Sequence, residues 1–483
     1  MPPSNTTDFL VRSYPAYFLD VKREIASSYP NFEARITQAW KEIIAELDVV
    51  TNQIHDSGSN YIPQIDFGDI DSLSIEEVAK IKKRGCVVIR NVVDDEKVIG
   101  WRESLREFAR RNPGIEGFPA DDKQFFELYW TKPQVEARAD PNFLKACIWL
   151  NNLYHDKSGA VSDKVDLDIP LIYADRYRIR KPGSQWGFLP PHVDGGTIER
   201  WQDPTFRKCF DDILSGNWRQ HDPYDLAGRL DARASLYDRP GQASVFRTFQ
   251  GWLSMSETGP TEGTIQLVPE VLLSNAYLIL RPFFKPTVAE DSPEVLKAEN
   301  WTIDLESPEF PGIIPMDGGF AGPYPNPLLH PHLALAKTLL PAPNVQPGDA
   351  VFWHCDLIHA VESTHEGKED SAVMYIPAVP YTTQNSEYVK KQLDAFLNGE
   401  RPSDFPKGKG EAGFIEAIKK YGAKNSDGNY VVPYGVLSDN TTQIFEALNG
   451  TLRSAKKQKK VAFDKELLML PGDKDVPVVL LEE

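Results

Sequence analysis

Between about residues 165 and 380, proline and glycine cut the chain into short runs rich in β-branched and aromatic residues: LIYADRYRIR, ASVFRTFQGWLSMS, GTIQLVP, AYLILRP, DAVFWH and SAVMYIPAV. Each reads as a strand, and many short strands divided by turn residues restrict the architecture to a β-sandwich or barrel. Helical patterning brackets this region. Upstream, Phe32, Ile36, Trp40, Ile43, Ile44 and Leu47 share one face of a packing helix. Ser74-Ile-Glu-Glu77 is a capping box opening the helix SIEEVAKIKKR; Gly85 and the strand CVVIRNVV follow. Val98, Trp101, Leu105 and Phe108 line one side of a further helix. Downstream, SEYVKKQLDAFLNG, GFIEAIKKYG and TQIFEALNGTL return to helical spacing, and RSAKKQKK reads as a solvated face. The expected organisation is α+β: an N-terminal helical extension over 1–69, a core over 70–390 and a C-terminal helical region over 391–483.

Two stretches of the core do not read as strands. Residues 197–243 form a long polar insertion with a helix over PTFRKCFDDILSG. Residues 308–347 carry ten prolines, several times the usage of about 5% found on average. A long loop of that kind inside a compact domain is a lid, a binding loop or a disordered segment. The balance of 53 Lys+Arg against 70 Asp+Glu, a net charge of −17, argues against nucleic-acid or membrane partners, because both need a basic field. The four cysteines (Cys86, Cys147, Cys209 and Cys355) form no CxxC pair, so neither a disulfide scaffold nor a cysteine zinc site is expected. No apolar run approaches the roughly 20 residues of a membrane span, and no secretory signal is visible at the N-terminus. The sequons at Asn5, Asn300, Asn440 and Asn449 then read as chance matches, and the protein as cytoplasmic.

Two segments carry candidate chemistry. In Pro191-His192-Val193-Asp194-Gly195-Gly196, residues i and i+2 of an extended strand point the same way, so His192 and Asp194 can share one ion while the glycines turn the backbone aside. The second is Gly348-Asp349-Ala-Val-Phe-Trp-His354-Cys-Asp356-Leu-Ile-His359. One histidine from it, added to His192 and Asp194, completes the two-histidine, one-carboxylate set of non-haem Fe(II) oxygenases. His354 and His359 differ by an odd number, so an unbulged strand would point them to opposite faces. His330-Pro-His332 reads as a loop packing motif, and His55, His155, His221 and His365 as surface groups.

These segments together resemble the 2-oxoglutarate/Fe(II)-dependent oxygenases, in particular the phytanoyl-CoA-hydroxylase-like branch. The helix and strand SIEEVAKIKKRGCVVIRNVV, the pair His192-x-Asp194, the strand Gly263-Thr-Ile-Gln-Leu-Val-Pro269 and the Gly-Asp strand at Asp349 match that branch over roughly residues 70–390. FRTFQGW, WHCDLIH and VMYIP are similar to its uncharacterised YbiU-like family. The resemblance implies a double-stranded β-helix (jelly-roll) core and Fe(II) held by His192, Asp194 and His359, the last lying ten residues after Asp349. It also implies 2-oxoglutarate and O2 as co-substrates and oxidation of a small-molecule C–H bond by hydroxylation, desaturation or cyclisation. His354 then falls to a supporting role, with Asp356 orienting a ligand.

The match fails at one position. The branch places an arginine for the far carboxylate of 2-oxoglutarate about ten residues after the distal histidine, where this chain has Glu369. A buried carboxylate needs a charged partner, best a bidentate arginine, so either the clamp comes from another strand or 2-oxoglutarate is not the co-substrate. Arg247, in Val-Phe-Arg-Thr-Phe-Gln, is the first choice, with Arg178 and Arg281 as alternatives and Lys368 a weaker one. Arg176, Arg178 and Arg180 alternate onto one face, either as an exposed basic stripe or against an anionic co-substrate or substrate. The arginines lean toward a small carboxylate, amino-acid-like substrate. Rival readings are a cupin-type metalloenzyme that does not use 2-oxoglutarate, a catalytically silent jelly-roll binding protein, and a scaffold built on the helical ends.

Overall fold

A computed structural model describes residues 14–414, apart from 188, 238 and 317, and beyond them only 423–424, 430–433, 456, 461–464 and 477–480. Helices α1 (Tyr17–Ser28) and α2 (Phe32–Ser57) open the described chain. The apolar stripe of α2 is buried as its spacing requires, from Phe32 and Ile36 through Trp40 to Ile54. Trp40 stacks on Tyr277 at 5.0 Å and on Phe284 at 4.5 Å. A buried ion pair, Lys22–Asp304 at 3.0 Å, ties α1 to the same side of the molecule.

Helix α3 (Ile75–Arg84) begins with the expected capping box and stops at Gly85, whose φ of +69° is a left-handed conformation. A Cβ on Gly85 would also lie 2.7 Å from Val271. Helix α4 (Asp95–Arg111) buries Val98, Trp101, Leu105 and Phe108 as expected.

Eleven strands form two sheets. They are β1 (Gln64–Asp66), β2 (Cys86–Arg90), β3 (Gly117–Phe118), β4 (Phe125–Phe126), β5 (Tyr177–Arg180) and β6 (Phe249–Ser254), then β7 (Ile265–Leu267), β8 (Leu340–Pro341), β9 (Ala350–His354), β10 (His359–Val361) and β11 (Ser371–Tyr375). The large sheet has the order β1-β2-β9-β6-β11-β5-β4-β3, antiparallel except for β1 with β2. The small sheet has the order β8-β7-β10, and an antiparallel bridge between His192 and His359 extends it. The architecture is therefore mixed α+β with one large sheet.

Every residue of β6 and β9 is buried, so these central strands are covered on both faces. Phe352 meets Phe143 on the helical side, whereas the adjacent Trp353 meets His359 of the small sheet at 5.2 Å. The Gly-Asp turn before β9 is a staple between strands. Asp349 accepts from the backbone N–H groups of Asn91 and Gln346 and from Arg90 at 2.6 Å, which joins the end of β2 to the start of β9.

Several expected strands are shorter or different. LIYADRYRIR pairs only over β5, and ASVFRTFQGWLSMS only over β6, so Arg247 precedes its strand rather than lying within it. AYLILRP is not a strand. It forms the C-terminal part of helix α5 (Val271–Leu280) and a following helical turn, Arg281–Phe283. An apolar run buried on all sides has no periodicity to separate helix from strand, and here contact with α2 on one side and α3 on another favours the helix. PTFRKCFDDILSG breaks into the short turns Pro204–Arg207, Lys208–Phe210 and Asp211–Leu214.

Helix α6 (Thr383–Asn398) realises SEYVKKQLDAFLNG and ends at Gly399. TQIFEALNGTL and most of GFIEAIKKYG and RSAKKQKK lie outside the described residues. The segments Ala423–Lys424, Tyr430–Pro433, Val461–Ala462 and Pro477–Leu480 pair as a four-stranded antiparallel sheet. Among the described residues no helix is long and apolar enough to cross a membrane.

Candidate metal and anion site

His192, Asp194 and His359 come together at the edge of the small sheet, with donor atoms all within 4.8 Å of one another. The pairing of the two histidines sets this: His192 N–H donates to the His359 carbonyl and His359 N–H to that of His192, both at 2.9 Å. Directly paired residues project to the same face, and the two imidazoles stand 4.1 Å apart.

Each ring is fixed in one tautomer. His192 Nδ1–H donates to the Pro190 carbonyl at 2.6 Å, and His359 Nδ1–H to the Leu357 carbonyl at 3.0 Å. A carbonyl can only accept, so Nδ1 carries a proton in each ring, and in the neutral imidazole the lone pair lies on Nε2. Those lone pairs face Asp194, with His192 Nε2 3.7 Å from Oδ1 and His359 Nε2 3.7 Å from Oδ2. These separations are too long for hydrogen bonds but suit donors each about 2.1 Å from one shared ion.

Burial alone would raise the Asp194 pKa, but His192, His359, Arg247 and Arg200 outweigh it and bring the carboxyl down to about 2. Burial, reinforced by His192 and partly offset by Asp194, lowers His359 to about 3. The carboxylate is therefore charged and His359 neutral at neutral pH, the protonation states that bind metal.

A buried network holds the turn after Asp194. Gly195 and Gly196 have φ values of +74° and +99°, and a Cβ on Gly196 would lie 2.6 Å from the Phe206 ring. Arg200 donates to the Asp194 carbonyl at 2.7 Å, to the carbonyls of Gly195 and Gly196, and to Asp356 Oδ1 at 2.7 Å. Arg229 binds the other Asp356 oxygen at 2.7 Å.

The second histidine-rich cluster is thereby used up. His354 Nδ1 accepts from the Asp356 backbone N–H, and its Nε2–H donates to the Pro223 carbonyl at 3.0 Å. Both ring nitrogens are engaged, so although His354, Cys355 and Asp356 lie close together, they have little left to offer an ion. His354 instead stacks on Tyr154. Its segment supports the turn at Asp194 through Asp356 and Arg200.

The triad opens into a cavity of about 220 Å³ between the two sheets, lined among others by Trp252, Trp353, Ile265, Tyr375, Arg178 and Arg247. Arg178 is 1% exposed. One of its nitrogens, Nη2, donates to the Gly263 carbonyl at 3.1 Å, while Nε and Nη1 have no hydrogen-bond partner among the described residues. Arg247 also reaches the triad, with Nη2 3.9 Å from Asp194 Oδ2 and its guanidinium over the Tyr173 ring.

The basic stripe on β5 is not an exposed face. Arg178 and Arg180 are buried, and Arg180 is tied to the carbonyls of Glu362, Gly263, Ser184 and Ser363. Arg281 lies away from the cavity, bound to the carbonyls of Leu329 and Phe284, and Lys368 is exposed. His221 and His365 are buried rather than superficial. His365 Nε2–H donates to the Glu369 carbonyl at 2.7 Å while Nδ1 accepts from Gly367 N–H, so the ring organises the loop where an arginine was expected. His330 and His332 are packing residues, as read, against Tyr277, Trp40 and Trp301.

Sequence reasoning missed Arg200, Arg229 and Gln250. Only the position of Arg200, six residues after Asp194, hinted at its task. Both non-strand insertions reach the cavity, one through Arg239 and Gln242 and the other through Tyr324.

The Costars family model matches residues 412–481, and 71 residues are 45% identical to Costars family protein ABRACL of Danio rerio, covering 14% of this chain and 88% of that protein. The chain is 30% identical over 421 residues to Uncharacterized protein YbiU of Escherichia coli K12, covering 84% of this chain and 93% of YbiU. The crystal structure of GlcNAc Inducible Gene 2, GIG2 (DUF1479), from Candida albicans aligns with a TM-score of 0.72 at 30% identity, over 92% of this chain and 90% of that one. The Gig2-like family model matches residues 12–430, and the chain belongs to that family.

Proposed function

We propose that this protein is a non-haem Fe(II)/2-oxoglutarate-dependent oxygenase of small molecules, built on a jelly-roll core. The observation that carries the reading is the pair of tautomer-locked histidines facing one carboxylate at the base of a cavity that also holds an unpaired buried guanidinium. In this reading His192 Nε2, His359 Nε2 and an Asp194 oxygen hold Fe(II), and their main-chain hydrogen bonds keep the donors aimed. Arg178 takes the distal carboxylate of 2-oxoglutarate, because two of its nitrogens, Nε and Nη1, have no partner among the described residues and need an anion.

Register supports that assignment over Arg247. Val373 of β11 pairs with Arg178, and Ser371 with Arg180, so β5 lies beside the strand that follows position 369 and supplies its guanidinium from next door. Trp252, Trp353 and Ile265 give the cavity apolar walls. Fe(II), 2-oxoglutarate and O2 together supply an oxidant for an unactivated C–H bond, with succinate and CO2 as co-products.

The test is an anaerobic titration of the Fe(II)-loaded protein with 2-oxoglutarate, following the visible charge-transfer band of the chelated keto acid. A saturable band that vanishes in Asp194→Ala and His359→Ala is expected. In Arg178→Gln the midpoint should rise about ten-fold or more, the worth of a charge-assisted hydrogen bond. Tight Fe(II) binding without a band would refute the co-substrate and leave a cupin-type metalloenzyme, the reading that Glu369 in place of arginine favours.

A further inference from the structure

The charges around the cavity leave one guanidinium without a task. Arg176, Arg178, Arg239 and Arg247 line it, against Asp175 and Asp194. Arg176 is neutralised by Asp175 at 3.0 Å and Glu127 at 3.1 Å, and Arg239 donates to the Phe320 carbonyl at 3.1 Å. Arg178 is assigned above to the co-substrate. Arg247 makes no hydrogen bond among the described residues. Its one ion-pair neighbour there is Asp194 Oδ2, at 3.9 Å beyond hydrogen-bond range, and its side chain is only 11% exposed. Gln250, also lining the cavity and 5% exposed, has an Nε2 with no partner among the described residues. Once Asp194 is committed to a metal ion, a buried guanidinium and an amide donor remain without an acceptor among the described residues, and an anionic ligand would satisfy both.

We infer that Arg247 binds the carboxylate of the substrate, so that the substrate is a small carboxylic acid oxidised at a carbon near its acid group. This deepens the oxygenase reading and rests on it for the oxidation, though not for the recognition of the acid. Geometry ties the recognition point to the metal ligands. Arg247 Nη2 and His359 Nε2 lie 3.9 and 3.7 Å from the same oxygen, Asp194 Oδ2. A carboxylate seated on Arg247 therefore places the carbons next to it beside the reacting centre, the positioning by which a bound group lowers a barrier. A planar guanidinium over the Tyr173 ring suits a carboxylate in two-point contact. Size limits the rest of the molecule. The cavity of about 220 Å³ is below the roughly 300–1,000 Å³ of sites for drug-sized ligands, and 2-oxoglutarate must share it, which limits the enclosed part of the substrate to a small group.

The experiment uses the full-length Fe(II)-loaded protein under anaerobic conditions, as wild type, Arg247→Gln, Arg247→Lys and Arg178→Gln. Binding of hexanoate, phenylacetate and L-leucine, each beside its neutral amide, is measured by calorimetry with 2-oxoglutarate present, and 2-oxoglutarate binding by its visible band. At least one acid is expected to bind wild type ten-fold or more tightly than its amide. Arg247→Gln should abolish that preference while its band midpoint stays within about three-fold, which also shows that the variant is folded, and Arg247→Lys should restore part of the preference. No acid-over-amide preference in wild type would overturn the inference, and so would a preference that survives Arg247→Gln. A band lost in Arg247→Gln and kept in Arg178→Gln would overturn it too, by making Arg247 the co-substrate clamp. If wild type shows no band but binds acids through Arg247, the oxygenase reading fails and the recognition of a carboxylic acid stands.

Discussion

Replacing Asp356 by asparagine tests whether the support beneath the metal site works as its geometry implies. The carboxylate is 1% exposed and accepts from Arg200 and Arg229, each 3% exposed and 2.7 Å away. The amide would keep the shape and remove the charge, leaving two buried guanidinium groups short of an anion. Breaking a buried pair in this way costs about 3–5 kcal/mol, a large part of a typical stability of about 5–15 kcal/mol. Urea denaturation should show a lower midpoint with an unchanged slope. Arg200 also holds the carbonyls of Asp194, Gly195 and Gly196, so divalent-metal affinity should fall about 10–100-fold, as when the partner of a ligand is lost.

The pH dependence of that difference has a defined sign. Burial raises the Asp356 pKa, but Arg229, Arg200 and His354 more than offset this and hold it well below the usual carboxylate range. A depressed folded-state pKa contributes stability that is fully present above the unfolded value of about 3.9 and is lost as pH falls below it. The gap between wild type and Asp356→Asn should therefore be flat from about pH 5 to 8 and close only in acid. A stability change under about 1 kcal/mol, with metal affinity unaltered, would refute the reasoning.

Burial lowers His359 and His354 to about 3 and His221 and His332 to about 4. Between those values and the unfolded value of about 6.5 the unfolded chain binds more protons, so the metal-free protein should lose stability steadily as pH drops from about 6.5 to 4 in a series of denaturant melts. Gly196→Ala should weaken metal binding in equilibrium dialysis, because its Cβ meets the Phe206 ring and the residue sits at φ +99°. Trp40→Ala, which removes the stack on Tyr277 and Phe284, should cost about 3–5 kcal/mol in urea melts and leave metal affinity unchanged.

The capping box at Ser74, the stripes of α2 and α4 and the extended His192-Val193-Asp194 segment are local patterns, and periodicity or adjacency was enough to read them. Pairing is not local. Only the antiparallel bridge brings His359 opposite His192, and only hydrogen bonds to carbonyls two residues away in chain but set by the fold choose the ring tautomers. The identity of α5 was likewise hidden, since a run buried on every side carries no period. The arginines show the limit most plainly. Side-chain type announces that a guanidinium needs an anion, but burial, register and the presence of competing carbonyls decide which one is left unpaired. Arg180 and Arg281 find main-chain oxygens; Arg178 and Arg247 face the cavity. By itself the sequence determined the capping box at Ser74, the stripes of α2 and α4, the two candidate metal segments and the mismatch at Glu369. The tertiary structure decided which donors converge and which charges remain free, because both depend on contacts between residues far apart in the chain.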